Sequence, residues 1–522
     1  MTGDHNQPAQ GPAPSATIAT APTKPLFGDL MKKAPARRDV TQLVALMAPT
    51  LLQGSFDSPL KFDNPAIPAG YTYLGQFITH EIATPTLAML AGKADPKELR
   101  SCGLDLDSLY GGPTMRPELF DGARLRIGKG KSGGGDVSVA SLPRDANGGA
   151  LIGDARNDEN LLTAQLHSAF IDFHNRMVDY CHNEGYRDTD KDKALLERTK
   201  SMVRKHFQWI VLWDFLPRIC GGAAFIRDMV GTPGEASWGE KPRLRFYQLD
   251  EPAYVPTEFW TAVFRFGHSM ARPSYFLNDT LSGPDELPAN RPYHHRIPLF
   301  DPKHGLGDLF RVGDIPGQWT VQWKYFFSFD EALRPWDPGA ESAVGFALEP
   351  KPGLQPSLLI DEELISALAF IPNKSGKPES LIFQDLTRGE DAGLPSGQLI
   401  AEAIGCRPLT PEQIGPLDLE PASLLTDTPL LYYVLREAAV LQGGRCLGPV
   451  GRTIIAETLI GLLWHSQDSI LKTPRWRPTP GDAVSGQPYT MAHFLHFAYS
   501  HHKTRLPYRP APPWPSGAPE IV

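Results

Sequence analysis

The chain has 522 residues, room for one large domain or several ordinary ones, and its 41% hydrophobic and 21% charged residues are those of a soluble globular protein. A net charge of -8 excludes the basic balance of a nucleic-acid binder. The cysteines (Cys102, Cys181, Cys220, Cys406 and Cys446) are few, odd in number and widely separated. That excludes a disulfide framework or a zinc ribbon and suits a reducing compartment.

Glycine (48) and proline (51) are in excess, which implies many ordered loops together with a disordered part. The first 25 residues, rich in Pro, Ala and Thr, lack the basic start and apolar run of a secretory signal. They predict a flexible tail, drawn here over residues 1–40, ahead of a single domain over 41–522. No stretch reaches the ~18 apolar residues of a membrane span. The expectation is therefore a soluble protein, cytoplasmic or exported without a recognisable signal peptide.

In chain order, YTYLGQFITHEI places Gln76 and His80 four apart, on one face of a helix. SCGLDLDSLYGG follows, where Asp105 and Asp107 alternate with apolar residues in a Gly-flanked loop. Such a pair suits a hard cation such as Ca²⁺ or a solvated turn. Leu162, Leu166, Phe170, Phe173 and Met177 then form one apolar stripe, predicting a helix over 160–180 with Arg156 and Glu159 at its start. His167 and His174 lie ~10.5 Å apart along that helix, too far to share one ion, and read as structural. Helices are also predicted over 193–217, over 256–270 stopped by Pro273, and through TIIAETLIGLLWH. FRFGHSMARP sets His268 near the end of the helix predicted over 256–270. LIFQDLTRGEDAGLPSGQ carries Asp385 and Arg388 on a polar segment before a Gly-Leu-Pro turn. Strand signals are sparse, long loops intervene, and no repeat or linker divides the chain. The fold class expected is mainly α: a single large helical domain with few short strands.

Together, LGQFITHEI, LDLDSLYGG, GDARNDEN with LHSAFIDFHNRM, FRFGHS and LTRGEDAGLPSGQ resemble the animal-type haem peroxidase (peroxidase–cyclooxygenase) superfamily, nearest to its bacterial peroxinectin-like branch. The resemblance runs from about residue 68 to about residue 500. It implies a domain enclosing haem b and a peroxidase that reduces hydrogen peroxide. Small organic or halide donors would then be oxidised through a ferryl intermediate. By position His80 resembles the distal histidine, Gln76 its neighbour and Arg156 the distal arginine. His268 resembles the proximal iron ligand on the other side of the iron, and Asp385 stands where the family has the asparagine that bonds that ligand. Arg388 and Arg265 resemble partners of the haem propionates. Calcium binding carries over to Glu81, Ser101, the Gly103 carbonyl, Asp105 and Asp107. Glu159 matches one position of covalent haem attachment, whereas Thr79 replaces the other, so at most one ester link is expected.

The resemblance also admits two rivals. A fatty-acid dioxygenase of the cyclooxygenase or α-dioxygenase kind needs a radical-forming tyrosine. Where cyclooxygenase has it, three residues before the proximal histidine, this chain has Arg265. A non-catalytic haem-binding or adhesion protein would not need the set Gln76, His80 and Arg156. The partners expected are hydrogen peroxide and a small reductant, with no protein partner inferable.

Overall fold

Apolar residues spaced four and three apart build the longest helix. The computed structural model describes residues 23–31, 37–47, 62–82, 101–112, 116–128, 141–189, 193–278, 296–299, 320–329, 354–369, 371–372, 378–479 and 489–499. Within it the stripe from Leu162 to Met177 lies on helix Leu161–Asn183, with all five side chains buried. Asn160 caps its N-terminus by accepting a hydrogen bond from the Thr163 N–H at 2.9 Å, satisfying a donor that a helix start leaves open.

Among the described residues the helices of eight or more residues are α1 (Gly70–Ile82), α2 (Leu161–Asn183), α3 (Ala194–Ile210), α4 (Ala223–Val230), α5 (Leu381–Asp391), α6 (Leu430–Gln442), α7 (Pro449–His465) and α8 (Met491–Tyr499). Strands run two to six residues and occur only as two-stranded pairs among these residues. The protein is mainly α. No helix among them is long and apolar enough to cross a membrane.

α2 packs against α1, α3 and α8, and aromatic rings make the joints. Phe77 of α1 stacks on Phe170 at 4.5 Å, Phe173 stacks on Phe494 of α8 at 3.9 Å, and Phe207 of α3 meets Phe170 edge-on at 5.7 Å. All five rings are fully buried, and each such pair adds roughly 0.5–1.5 kcal/mol beyond its buried area. α6 and α7 form a second layer behind residues 263–268.

Three expectations change. The helix predicted over 256–270 breaks at Ala262 (φ -135°, ψ -71°), giving a short helix Thr257–Thr261 and a 3₁₀ turn Val263–His268. The polar segment around Asp385 is a helix, α5, capped by Ser380. The tail boundary also moves. Thr23–Lys24 pairs in parallel with Val255–Pro256, and the Leu26 and Phe27 N–H groups donate to the buried Glu258 carboxylate at 3.0 and 2.9 Å. Further on, Arg38 ion-pairs with Glu390 at 2.9 Å and Asp427 at 3.2 Å. These partners lie more than two hundred positions away, where local composition carries no signal. Residues 1–22 fall outside the described residues.

Glu437 of α6 joins the second layer, accepting a hydrogen bond from the Val450 N–H at 2.9 Å where α7 begins. Burial pushes its carboxyl from 4.5 up to about 7. The folded state thus holds this proton more tightly than the unfolded chain. The resulting stability is complete below about pH 4.5 and is lost as pH rises through about 7. Glu437→Gln keeps the shape without titrating. It is expected to remove about 3 kcal/mol of pH dependence from the unfolding free energy across that window. Denaturant titrations at the two ends of the window check this, and an unchanged slope would exclude Glu437 as the titrating group.

Candidate active site

The C-terminal half of α1 carries Gln76 and His80, one turn apart on one face as their spacing predicts. The side-chain oxygen of Gln76 accepts from the Thr163 hydroxyl at 2.9 Å and the Asn160 amide at 3.1 Å, tying α1 to the capped start of α2. His80 is buried, and its Nδ1 lies 2.8 Å from the Asn157 side-chain oxygen. The 3₁₀ turn Ala155–Asp158 supplies both neighbours of His80. Asp154 caps that turn by accepting the Arg156 N–H at 3.0 Å, and it also binds the Arg156 guanidinium through Nε at 3.0 Å and Nη2 at 2.6 Å. The same Nη2 donates to the His80 carbonyl at 2.7 Å. A fork held by one carboxylate has lost its rotational freedom before it meets any other anion. Glu159 closes the turn, half-buried, and Thr79 spends its hydroxyl on the Gly75 carbonyl at 2.9 Å.

His268 ends the 3₁₀ turn that packs directly on α1. Because a 3₁₀ helix has three residues per turn, Arg265 and His268 lie in line on one side. Both meet Asp385 of α5. His268 Nδ1 is 2.6 Å from Asp385 Oδ2, and Arg265 and Arg388 reach Oδ1 at 3.1 and 3.2 Å. Burial alone would raise the Asp385 carboxyl, but His268 and the two guanidiniums outweigh it and hold it below its ordinary value. Asp385 is therefore an anion that accepts from the His268 Nδ1–H, leaving the ring's Nε2 as a base.

The residues around His268 fit a flat, anionic, metal-bearing group. Its ring is 34% exposed although Asp385 behind it is 2% exposed. A Cβ on neighbouring Gly267 would meet no atom within 4 Å. Arg265 Nε is buried without a hydrogen-bond partner among the described residues. Arg265 also lies over the Trp260 ring, 5.5 Å from its centroid.

The oxygen donors around Asp105 converge as well. Both Glu81 oxygens accept backbone N–H groups, from Asp107 at 2.6 Å and Ser108 at 2.9 Å, at the start of the short helix Asp107–Tyr110. Asp107 accepts the Ser101 N–H at 2.8 Å, and the Ser101 hydroxyl donates to Asp105 at 2.6 Å. Gly103 lies tight against the same carboxylate, a Cβ there falling 2.6 Å from Asp105 Oδ2. Burial pushes the Asp105 carboxyl up to about 6, with the Asp107 charge adding to it. Hard oxygen donors match a calcium ion in chemistry. As arranged, they bind one another, and no group of three acidic, His or Cys side chains among the described residues is set to hold a metal.

Asp154, Asn157 and His167 were not singled out from the sequence as site residues. Asn157 Nδ2 lies 2.9 Å from His167 Nδ1, so the residue read as purely structural joins the cluster around His80. No spacing announces this, since Asn157 is 77 positions from His80 and 10 from His167. His174 is structural, bonded to the Ala123 carbonyl at 2.9 Å and Tyr110 at 3.0 Å, and burial pushes it down to about 4.

Residues 105–311 match the animal haem peroxidase family. A peroxidasin homologue, pxn-1 of Caenorhabditis elegans, is 33% identical over 126 residues, 24% of this chain and 9% of that protein. The chain thus spans about a tenth of that relative's length. The fold is similar to that of peroxidase A from Dictyostelium discoideum, at a TM-score of 0.50 and 15% identity, over 90% of this chain and 92% of that one. It is also similar to a fatty acid alpha-dioxygenase of Arabidopsis thaliana, at 0.54 and 14% identity, over 92% and 77% of the two chains. The matched segment holds Asp105, Asp107, Arg156, Glu159 and His268, five of the residues gathered in this cluster, and over that segment the chain is similar to the animal haem peroxidase family.

Proposed function

We propose that this protein is a haem-dependent peroxidase that reduces hydrogen peroxide and oxidises small organic or halide donors. The observation that carries the reading is His268, bound through Nδ1 to a buried carboxylate, on a turn that packs against the helix bearing His80. Haem b bound through His268 Nε2 would supply the iron at which peroxide is reduced. His80 then takes a proton from the peroxide and returns it to the departing oxygen. The Arg156 guanidinium, pre-oriented by Asp154, offsets the negative charge that develops on that oxygen. Gln76 holds the start of α2 against α1, so the two distal elements keep their spacing. Arg265 and Arg388 supply positive charge for propionates on the His268 side. A single ester link through Glu159 belongs to the same proposal, Thr79 having no carboxylate to offer. The dioxygenase reading is less well supported, because the position three before His268 is an arginine engaged with Asp385.

Calcium at Glu81, Ser101, the Gly103 carbonyl, Asp105 and Asp107 extends the proposal. Its support is the convergence of these oxygens on a carboxylate that burial has pushed up and a cation would bring down. The ion would fix Glu81, the residue next to His80.

Four outcomes are expected. Haem-loaded protein should change its optical spectrum on adding hydrogen peroxide and turn over a phenol, and His80→Leu should slow that reaction roughly 10²–10⁴-fold. Absence of peroxide-dependent turnover in the loaded protein would sink the main claim. Denaturing extraction of the same sample should leave the haem attached, and freely extracted haem would dismiss Glu159. Asp385→Asn should raise the Fe(III)/Fe(II) potential, because an amide donates less electron density through His268 than a carboxylate. Spectroelectrochemistry reads this, and an equal potential would break the pairing. Millimolar Ca²⁺ should raise the thermal midpoint of chelator-treated protein, whereas equal midpoints would exclude the ion.

A further inference from the structure

Asn157 is fully buried and its amide lies between two imidazoles, its oxygen 2.8 Å from His80 Nδ1 and its nitrogen 2.9 Å from His167 Nδ1. A primary amide has one end that only accepts and one that only donates. It can therefore satisfy two neutral rings only if one carries its proton on Nδ1 and the other on Nε2. The two histidines are locked into opposite tautomers. With the carbonyl toward His80, that ring is the Nδ1–H form and its Nε2 carries a lone pair. His167 is then the Nε2–H form.

The orientation of the amide is a physical choice between two arrangements. Turned the other way, it would donate to His80 Nδ1 and force the proton onto Nε2, the nitrogen that must be bare to accept one. It would also meet an N–H with an N–H each time His80 became a cation. With the carbonyl toward His80, neutral ring and imidazolium both present Nδ1–H, and the hydrogen bond survives the whole cycle. His167 has no exposed surface. The turn that supplies Asn157 also supplies Arg156, so His80 is held at its ring by one residue and at its carbonyl by the next.

We infer that Asn157 is a positioning residue that fixes His80 as the Nδ1–H tautomer through an amide bridge to His167, making its Nε2 the base for a hydroperoxide substrate. The inference rests on the peroxidase reading for its purpose but not for its measurement.

The test is ¹⁵N NMR of the full-length chain labelled at the histidine ring nitrogens, at a pH where free imidazole is neutral (above about 8). His80→Gln and His167→Gln identify the two signals. His80 should be protonated on Nδ1 and His167 on Nε2. Asn157→Asp, which still offers an acceptor to His80, should keep the His80 tautomer and hold the peroxide reaction within about tenfold of the parent. Asn157→Leu should release the tautomer and slow the reaction by roughly 10²-fold. His80 found as the Nε2–H form in the parent protein, or a tautomer indifferent to Asn157→Leu, would overturn the inference. If Asn157→Leu does not fold, the parent and Asn157→Asp spectra still decide it. The measurement uses no peroxide. An Nδ1–H His80 in a protein without peroxide turnover would thus defeat the proposed function and support this assignment.

Discussion

The carboxylate of Asp385 is the group on which the rest of the site depends. A carboxylate with 2% exposure would cost several kcal/mol if left alone. It stays ionised because an imidazole and two guanidiniums surround it. Arg388 comes from its own helix, while His268 and Arg265 come from a turn more than a hundred positions away. Meeting that demand joins α5 to residues 263–268 and aims the far nitrogen of His268 away from the buried side. The two guanidiniums also share the charge of Asp385. They temper the pull of the carboxylate on the His268 proton while leaving net positive charge on that side of the ring.

The side around His80 applies the same rule with different groups. Arg156 is paired with Asp154 two residues earlier, so a counter-charge is supplied locally. His80 and Glu81, adjacent at the end of α1, are anchored in different ways. His80 is bonded to the Arg156–Asn157 turn, while Glu81 receives the first N–H groups of the short helix Asp107–Tyr110. An acid at a helix N-terminus is favoured by the helix dipole as well as by its hydrogen bonds. A shift of that short helix would therefore be felt at Glu81, the residue next to His80.

The N-terminal segment has a supporting part in this arrangement. Arg38 buries its guanidinium against Glu390, five positions after Asp385 on α5, and also reaches Asp427. Glu258, at the start of the chain that leads to His268, receives the N–H groups of Leu26 and Phe27. The element that carries Asp385 and the one that leads to His268 are thus strapped from outside by residues that composition alone assigns to a tail.

The sequence by itself determined the helical class and the longest helix. The stripe from Leu162 to Met177 can be buried only as a helix, and Gln76 and His80 share a face for the same reason of period. Its five segments also located both histidines and the acidic partner of His268, because the identity and order of those residues survive without coordinates. Tertiary structure alone decided the rest. The helix drawn over 256–270 breaks at Ala262, where the demands of Asp385 meet a 3₁₀ turn that aligns Arg265 with His268. Asn157 and His167 entered the site only through proximity, since an amide between two rings leaves no trace in spacing. The resemblance already gives His80 and His268 unequal parts. Each commits Nδ1 to a neighbour, and what distinguishes them is that neighbour, an amide for His80 and a buried carboxylate for His268, a choice that hydrogen bonds across the fold set.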